Sequence, residues 1–468
     1  MSQYRTVRSV HGAPLPTGMV VFGRVLQMQP AESKLASLVR IAVVVCSIPG
    51  LFAQQLGTPL TLDAALAYAR QHSPRLTARR QGVTTEQVAI DAAKAERLPR
   101  LTLGAAVRGS SEPTETAMGV PLTSLSEIPL NQPFRRGHLN AQVMATLPVY
   151  TGGRIVSAVS LAKAQRDLAQ AGVHDVERSL DFDVTATYAN LAQLDRDIEA
   201  AGESVVALTE SRRVVSQMLE EGKVARVDVL KVDTRLADVQ DTAIEFRNAR
   251  DIQAGQFNAL LGRPVDTPVF VEALLAKPLT SQTPDQAASL SVRSGNTKYQ
   301  LAQAEVNLAE RSVAVARAQL RPSLALAADL RGQSVDPFSL YKSGVTAGAV
   351  FNFPFFDRTL TRRVDIAASR VQERLSDLKQ AELDAEQRGR TAYLQVQNSL
   401  ERIHATETAI EYAREALRIE QEKQRYGRGI IENMLDAQAA LFTSQARYYR
   451  ALADYVTAAA AVRRETGI

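Results

Sequence analysis

Few residues in this chain are spaced for chemistry. Glu401 and His404, in ERIH, have the Glu-x-x-His spacing that sets a carboxylate and an imidazole on one helix face, as in di-iron bundles. Such a site needs a second copy and further carboxylates on facing helices, whereas HDVE (His174, Glu177) reverses the order and the other three histidines are scattered. There is no Gly-rich phosphate loop, no zinc-type Cys/His spacing and no nucleophile elbow. These residues predict no enzyme, no cofactor and no metal. A different pattern does recur. Gly222 in EEGKVARVDVLKVDTRL and Gly427 in RYGRGIIENMLDAQAAL each precede a leucine by eight residues, Leu230 and Leu435. Acids follow both glycines: Asp228 after the first, Glu432 and Asp436 after the second, with Asn433 at the place corresponding to Asp228. Read by themselves, these are helix-start carboxylates that complement the helix dipole.

The segments carrying these motifs are long and helical. All 19 prolines lie outside two windows, 149–263 and 355–468, each able to hold well over roughly 100 Å of helix. Apolar residues recur at Val173, Val176, Leu180, Val184, Tyr188, Leu191, Leu194, Ile198, Ala201, Val205 and Leu208, a period near 3.5 that predicts helices packed along one seam. The glycines interrupt each window once, so each reads as an antiparallel hairpin, with Gly supplying the left-handed C-cap at its tip. Aromatic residues at 5 % and the absence of Trp fit long helices better than compact cores.

Between the prolines the period changes to two. Leu101, Leu103, Ala105 and Val107 alternate with Thr102, Gly104, Ala106 and Arg108, and Leu139, Ala141, Val143, Ala145 and Leu147 with Asn140, Gln142, Met144 and Thr146. Leu324, Leu326, Ala328 and Leu330 repeat the pattern, as do Val345, Ala347, Ala349, Phe351 and Phe353. Four strands of about ten residues, each with one apolar face, match outer-membrane barrel strands. Four strands cannot close a barrel, and open edges in lipid cost several kcal/mol per unpaired backbone group, so copies must share one. The predicted lipid-facing set is Leu101, Leu103, Leu139, Val143, Leu324, Leu326, Phe351 and Phe353.

The halves read as an internal repeat. The first spans 54–263, with strands near 100–109 and 138–148 and a hairpin near 153–262. A Pro-rich linker covers 264–285. The second repeat spans 286–468, with strands near 323–331 and 343–354 and a hairpin near 358–466. Residues 1–53 read as a secretory signal with an extension, in which IAVVVCSIPGLFAQQ holds an apolar run too short to span a bilayer as a helix. Cleavage is expected after Ala53 and the working start at Met28; Cys46, preceded by Val45, fits a lipidation signal poorly. This segment carries Arg5, Arg8, Arg24, Lys34 and Arg40 against Glu32, which is most of the formal charge of +5, so the pI of 9.2 is no argument for nucleic acid.

In order and duplication, LTLDAALAYARQHSPRL, RLPRLTLGA, LPVYTGGR, NALLGRP and the two tip motifs resemble the TolC-type outer-membrane efflux proteins across the mature chain. The resemblance implies α-helical hairpins forming an α-barrel on a twelve-stranded β-barrel shared by a homotrimer. It implies a passive exit duct reaching from the outer membrane into the periplasm, serving tripartite efflux or type I secretion. The implied partners are a periplasmic adaptor and an inner-membrane transporter of the RND, ABC or MFS type. It further implies a periplasmic gate at Asp228, Asp436, Glu432 and Asn433. Adaptor docking is implied at Gly222, Lys223, Arg226, Gly427, Arg428 and Gly429, where Gly429 replaces the family's tip arginine. A periplasmic adaptor or coiled-coil scaffold is the rival reading, but it would carry one hairpin flanked by glycine-rich β-domains.

Overall fold

A computed structural model describes residues 59–114, 135–274, 286, 289, 296–336, 339–426 and 428–467. The expected signal segment 1–53, the tip glycine Gly427 and the linker beyond Leu274 as far as residue 285 lie outside them. The described chain runs α1 (Leu62–His72), α2 (Pro74–Ala95), β1 (Arg100–Thr114), β2 (Arg135–Tyr150), α3 (Arg154–Glu220) and α4 (Arg226–Leu261). It continues with α5 (Thr297–Ala318), β3 (Ser323–Asp336), β4 (Ser339–Asn352), α6 (Arg358–Arg425) and α7 (Ile431–Thr466).

Local chemistry sets the helix ends. The Thr61 hydroxyl accepts from the Ala64 amide, the Asn296 side chain from Lys298 and Tyr299, and Asp357 from Thr359 and Leu360. Entry into α3 is made by Gly152 and Gly153, both left-handed; a Cβ on Gly152 would lie 2.5 Å from the Cβ of Arg321. The GG of the YTGGR motif thus permits both the turn and the close approach of β3. At 67 and 68 residues, α3 and α6 are each about 100 Å long.

α3 is the central column, packing against α1, α2, α4, α5 and α7, while α6 packs on α5 and α7. One core gathers Leu76, Leu180, Val184, Leu191, Phe257 and Leu261 around Tyr188. The Tyr188 hydroxyl donates to the carbonyl of Leu60 at 2.8 Å and accepts from the amide of Glu272 at 2.9 Å. It thereby pins the first described strand residue and the linker, which also pair with each other at Leu60 and Val271. A second core holds Val396, Ile403, Leu452 and Tyr455 between α6 and α7. The C-terminal end of α7 is fastened by buried Glu465, which accepts from Asn296 at 2.6 Å, Arg464 at 2.9 Å and Arg388 at 3.3 Å.

The four strands form one antiparallel sheet in the order β1-β2-β3-β4. Residues directly paired across strands project to the same side. The register aligns Leu103 with Val143, Val143 with Leu330 and Leu330 with Val345, and likewise Leu147 with Leu326 and Leu324 with Phe351. One apolar face therefore runs unbroken across all four strands. It is open: Leu101 and Leu103 are 73 and 78 % exposed and Phe351 67 %. On β3, Leu326 and Leu330 are exposed while Ala327 and Asp329 between them, and Ala325 before them, are half-buried, so the sheet curves toward its polar side.

The structure departs from the sequence-based expectation in three places. The strands run 14 to 16 residues rather than about ten, because ladder hydrogen bonds continue past the apolar stretch that marks them in sequence. β4 ends at Asn352, opposite Ser323; Pro322 precedes Ser323 and has no N–H, leaving Phe353 beyond the ladder with its ring edge-on to Phe355 at 6.4 Å. On α3 the single apolar seam fails around Ile198, which is half-buried, while Asp197 is buried. A helix packed by α4 on one side and α7 on another buries more than one stripe.

Asp197 is held by Gln193 at 3.1 Å through one oxygen, and its other oxygen has no partner. Burial raises its pKa to about 6, against the lowering influence of the Gln193 hydrogen bond and the Arg450 charge. A carboxyl whose folded pKa exceeds its unfolded value takes up a proton on folding between the two, so stability rises as pH falls from about 6 toward 4. Thermal unfolding of Asp197→Asn should show a higher midpoint than the parent at pH 7.5 and a flatter dependence between pH 6 and 4. An equal midpoint at pH 7.5 contradicts the assignment.

Candidate functional site: the hairpin tips

Both long helices end with an amide that reaches back to the carbonyl five residues earlier. At the end of α3, the Lys223 amide donates to the carbonyl of Met218 at 2.8 Å and the Gly222 amide to Leu219 at 2.9 Å, with Gly222 at φ +74°. This is a Schellman C-cap, which requires a left-handed residue at the glycine. At the end of α6, the Arg428 amide donates to Lys423 at 2.9 Å across the same spacing. Gly429 is needed for another reason, since a Cβ there would lie 2.7 Å from the backbone nitrogen of Gln424. The chain doubles back over the helix end before α7 begins.

The tips share one apolar core. Leu208 and Val215 of α3, Val232 and Val239 of α4, and Ile431, Met434 and Leu435 of α7 are buried together, with Leu417 of α6 packed beside them. Each such side chain contributes about 1.5–3 kcal/mol on burial. The tip end of the hairpins is thus one four-helix cluster. The leucines that mark the two sequence motifs differ: Leu435 belongs to this core, while Leu230 is exposed.

A groove of about 410 Å³ lies between α4 and α7, lined by Val227, Leu230, Lys231, Thr234, Arg235, Asp238, Glu432, Leu435 and Asp436. It brings together Glu432 and Asp436 of the predicted gate set. Lys231, not anticipated from the sequence, bridges to Glu432 at 2.9 Å and joins the first hairpin to the second. The Glu432 carboxylate holds Lys231 above the ordinary lysine pKa, and Asp228 acts in the same sense. Asp228 itself turns back on its own helix, accepting from the Ala225 amide at 3.2 Å. It therefore serves as the N3 half of a capping box, and the dipole role read from the residue type is present in the structure. Asn433 is exposed and outside the groove lining, as are Arg226 and Arg428. Lys223 pairs with Glu221 at 2.7 Å, which keeps the Glu221 carboxyl below its usual range. The signal that could have identified Lys231 was complementary charge on two helix starts expected at the same end of the molecule.

Of the predicted lipid-facing residues, Leu101, Leu103, Val143, Leu326, Phe351 and Phe353 are exposed and Leu324 is half-buried. The side chain of Leu139, whose backbone pairs with Val107 and Ser334, lies outside the described residues. No helix among the described residues is long and apolar enough to cross a membrane.

The sequence matches the Outer membrane efflux protein family over residues 65–263 and 291–467. The chain belongs to the outer membrane efflux protein family. Nodulation protein T of Rhizobium leguminosarum bv. trifolii is 24 % identical over 308 residues, a match covering 63 % of this chain and 64 % of that relative. Among solved structures, the outer membrane protein VceC of Vibrio cholerae superposes with a TM-score of 0.70 at 18 % identity, covering 87 % of this chain and 96 % of VceC. The CmeC outer membrane channel of Campylobacter jejuni gives 0.71 at 15 % identity, covering 87 and 85 %. At these identities the likeness establishes the fold that members of the efflux family share with this chain.

The two tip glycines make separable predictions. Gly222 faces open space and is constrained by φ alone, so Gly222→Asn should be tolerated, because Asn accepts a left-handed backbone. Gly429 is constrained by contact, so Gly429→Asn and Gly429→Ala should both loosen the tip and speed its cleavage in limited proteolysis. Equal protection of all three variants would disprove the steric account of Gly429.

Proposed function

We propose that this protein is an outer-membrane exit duct, a homotrimer that passively conducts cargo from an inner-membrane transporter, through an adaptor, to the cell exterior. The observation that carries the reading is the sheet: one apolar face, a curved polar face and two free edges, β1 and β4. β1 and β4 run in opposite directions, so edge-to-edge joining of copies continues an antiparallel ladder. Three protomers give twelve strands, an even number that leaves no edge in lipid. The two halves act as structural repeats, each giving two strands and one hairpin to the cylinder. Family membership supports this assembly and a site in the outer membrane, with helices extending into the periplasm.

In this reading the tips are the periplasmic mouth. Lys223, Arg226 and Arg428 present exposed cations on their outside to an adaptor of an efflux or type I secretion system. Asp228 and Asp436, each repeated threefold, give the mouth a negative potential that favours cations, focused by the narrow aqueous opening.

Purified protein in detergent should have three times the protomer mass and conduct in planar bilayers; a monomer without conductance would refute the assembly. In conducting channels, Asp228→Asn combined with Asp436→Asn should abolish cation preference and weaken divalent block. Unchanged values of both would remove these acids from the gate.

A further inference from the structure

Two helices of the protomer have a free side. α4 packs mainly on α3, meeting α1 and α7 only lightly, and α6 packs on α5 and α7. Along α4, Val232, Val239 and Ala243 are buried, whereas Leu230, Ala237 and Ile244, each seven residues from the next, are exposed on a side turned away from them. Along α6, Ala392, Val396, Ser399 and Ile403 are buried, whereas Tyr412, Ile419 and Tyr426, again seven apart, are exposed. Tyr412 and Tyr426 are 72 and 80 % exposed and Ile244 61 %. Apolar side chains repeating every seven residues mark the seam of a helix pair, yet both rows stand open. Charges border them. Beside its row α4 carries Arg226 and Arg247, with Asp233 between them already paired to Arg212. Beside its own row α6 carries Glu401, Glu415 and Glu422, the last two sharing Arg418. Each set is spaced in multiples of seven, so one border is net basic and the other net acidic.

The rows also stand at matching heights. Lys231 of α4 bridges to Glu432 of α7, and Arg402 of α6 to Asp454 of α7, which sets each of these pairs side by side. Counting up α7 from the first bridge and down α6 from the second brings Leu230, Ala237 and Ile244 within about two residues, or about 3 Å, of the heights of Tyr426, Ile419 and Tyr412. We propose that α4 of one copy packs against α6 of the next along these rows, so that the copies are joined through their helices as well as through their strands. The inference rests on the trimer proposed above and continues its sheet joint. β4 is an open edge and leads into α6, while α2, which leads into the other edge β1, packs on α3 as α4 does. A copy that extends the ladder at β4 therefore brings its own α4 to the free side of α6. Each first hairpin is then held twice, by the second hairpin of its own copy at Lys231 and by that of the neighbouring copy at this seam.

The test is thiol crosslinking of the full chain in detergent, with the one native cysteine replaced by Cys46→Ser. Three matched pairs are made: Leu230→Cys with Tyr426→Cys, Ala237→Cys with Ile419→Cys, and Ile244→Cys with Tyr412→Cys. Oxidation should convert each into covalent species of two and three protomer masses on denaturing gels, reversed by reductant, while every single-cysteine variant stays at one. Leu230→Cys with Tyr412→Cys is the register control, since these positions lie about 20 Å apart along the helices and should not join. Three independent pairs are used so that one variant failing to assemble does not stand in for the others. A parent of one protomer mass before oxidation overturns the trimer itself. Trimers in which the matched pairs stay uncrosslinked, or in which the register control joins as readily as they do, overturn the helical seam alone.

Discussion

The backbone hydrogen bond is the constraint from which the rest of this structure follows. A strand in hydrocarbon cannot leave its amides and carbonyls unpaired, and this chain offers four strands with unpaired outer edges on both sides. The protomer by itself leaves both ladder edges, β1 and β4, open. Its sheet buries neither face, and where the strands meet the helices it exposes large apolar residues as well: Val149 and Tyr150 on one side, Phe351, Phe353, Phe355 and Phe356 on the other. Exposed side chains of this size on a soluble monomer would drive aggregation; at the boundary of a bilayer, aromatic rings are at home.

The same logic governs the helical half by different means. Helices satisfy their own backbones, so they need only somewhere to place apolar side chains. α3 meets that need by packing on five other helices; Tyr188 fastens the start of the described chain to it, and Glu465 ties the end of the described chain to α5 and α6. Asp197 departs from this as a carboxylate buried with one idle oxygen, and Asn258 likewise keeps a buried Oδ1 without a partner.

Most of the architecture was legible in the sequence because its elements are long and their periods differ. Proline-free windows mark α3 with α4 and α6 with α7, and two-residue alternation picks out all four strands and the residues that share one side of the sheet. The limits of the strands were not legible. Alternation stops at Gly109, for example, but pairing continues to Thr114. The buried position of Asp197 was hidden because a seam read from one helix cannot show how many neighbours that helix will have. At the tips, Asp228 and Asp436 were visible as acids following glycines. Their separate environments, one capping a helix and one lining a groove, depend on how two hairpins meet, as does the Lys231–Glu432 bridge, which joins residues some 200 positions apart.

The pairing of β2 with β3 also sets an order of events. Leu139 lies opposite Ser334, and Tyr150 opposite Leu324, so the central seam of the sheet joins segments separated by the whole first hairpin. Helical turns form from neighbours in sequence, whereas this seam must wait until β3 has been synthesised and delivered. The first hairpin can be a standing rod before the four-stranded sheet is complete, because the β2–β3 seam is the long-range pairing that closes it.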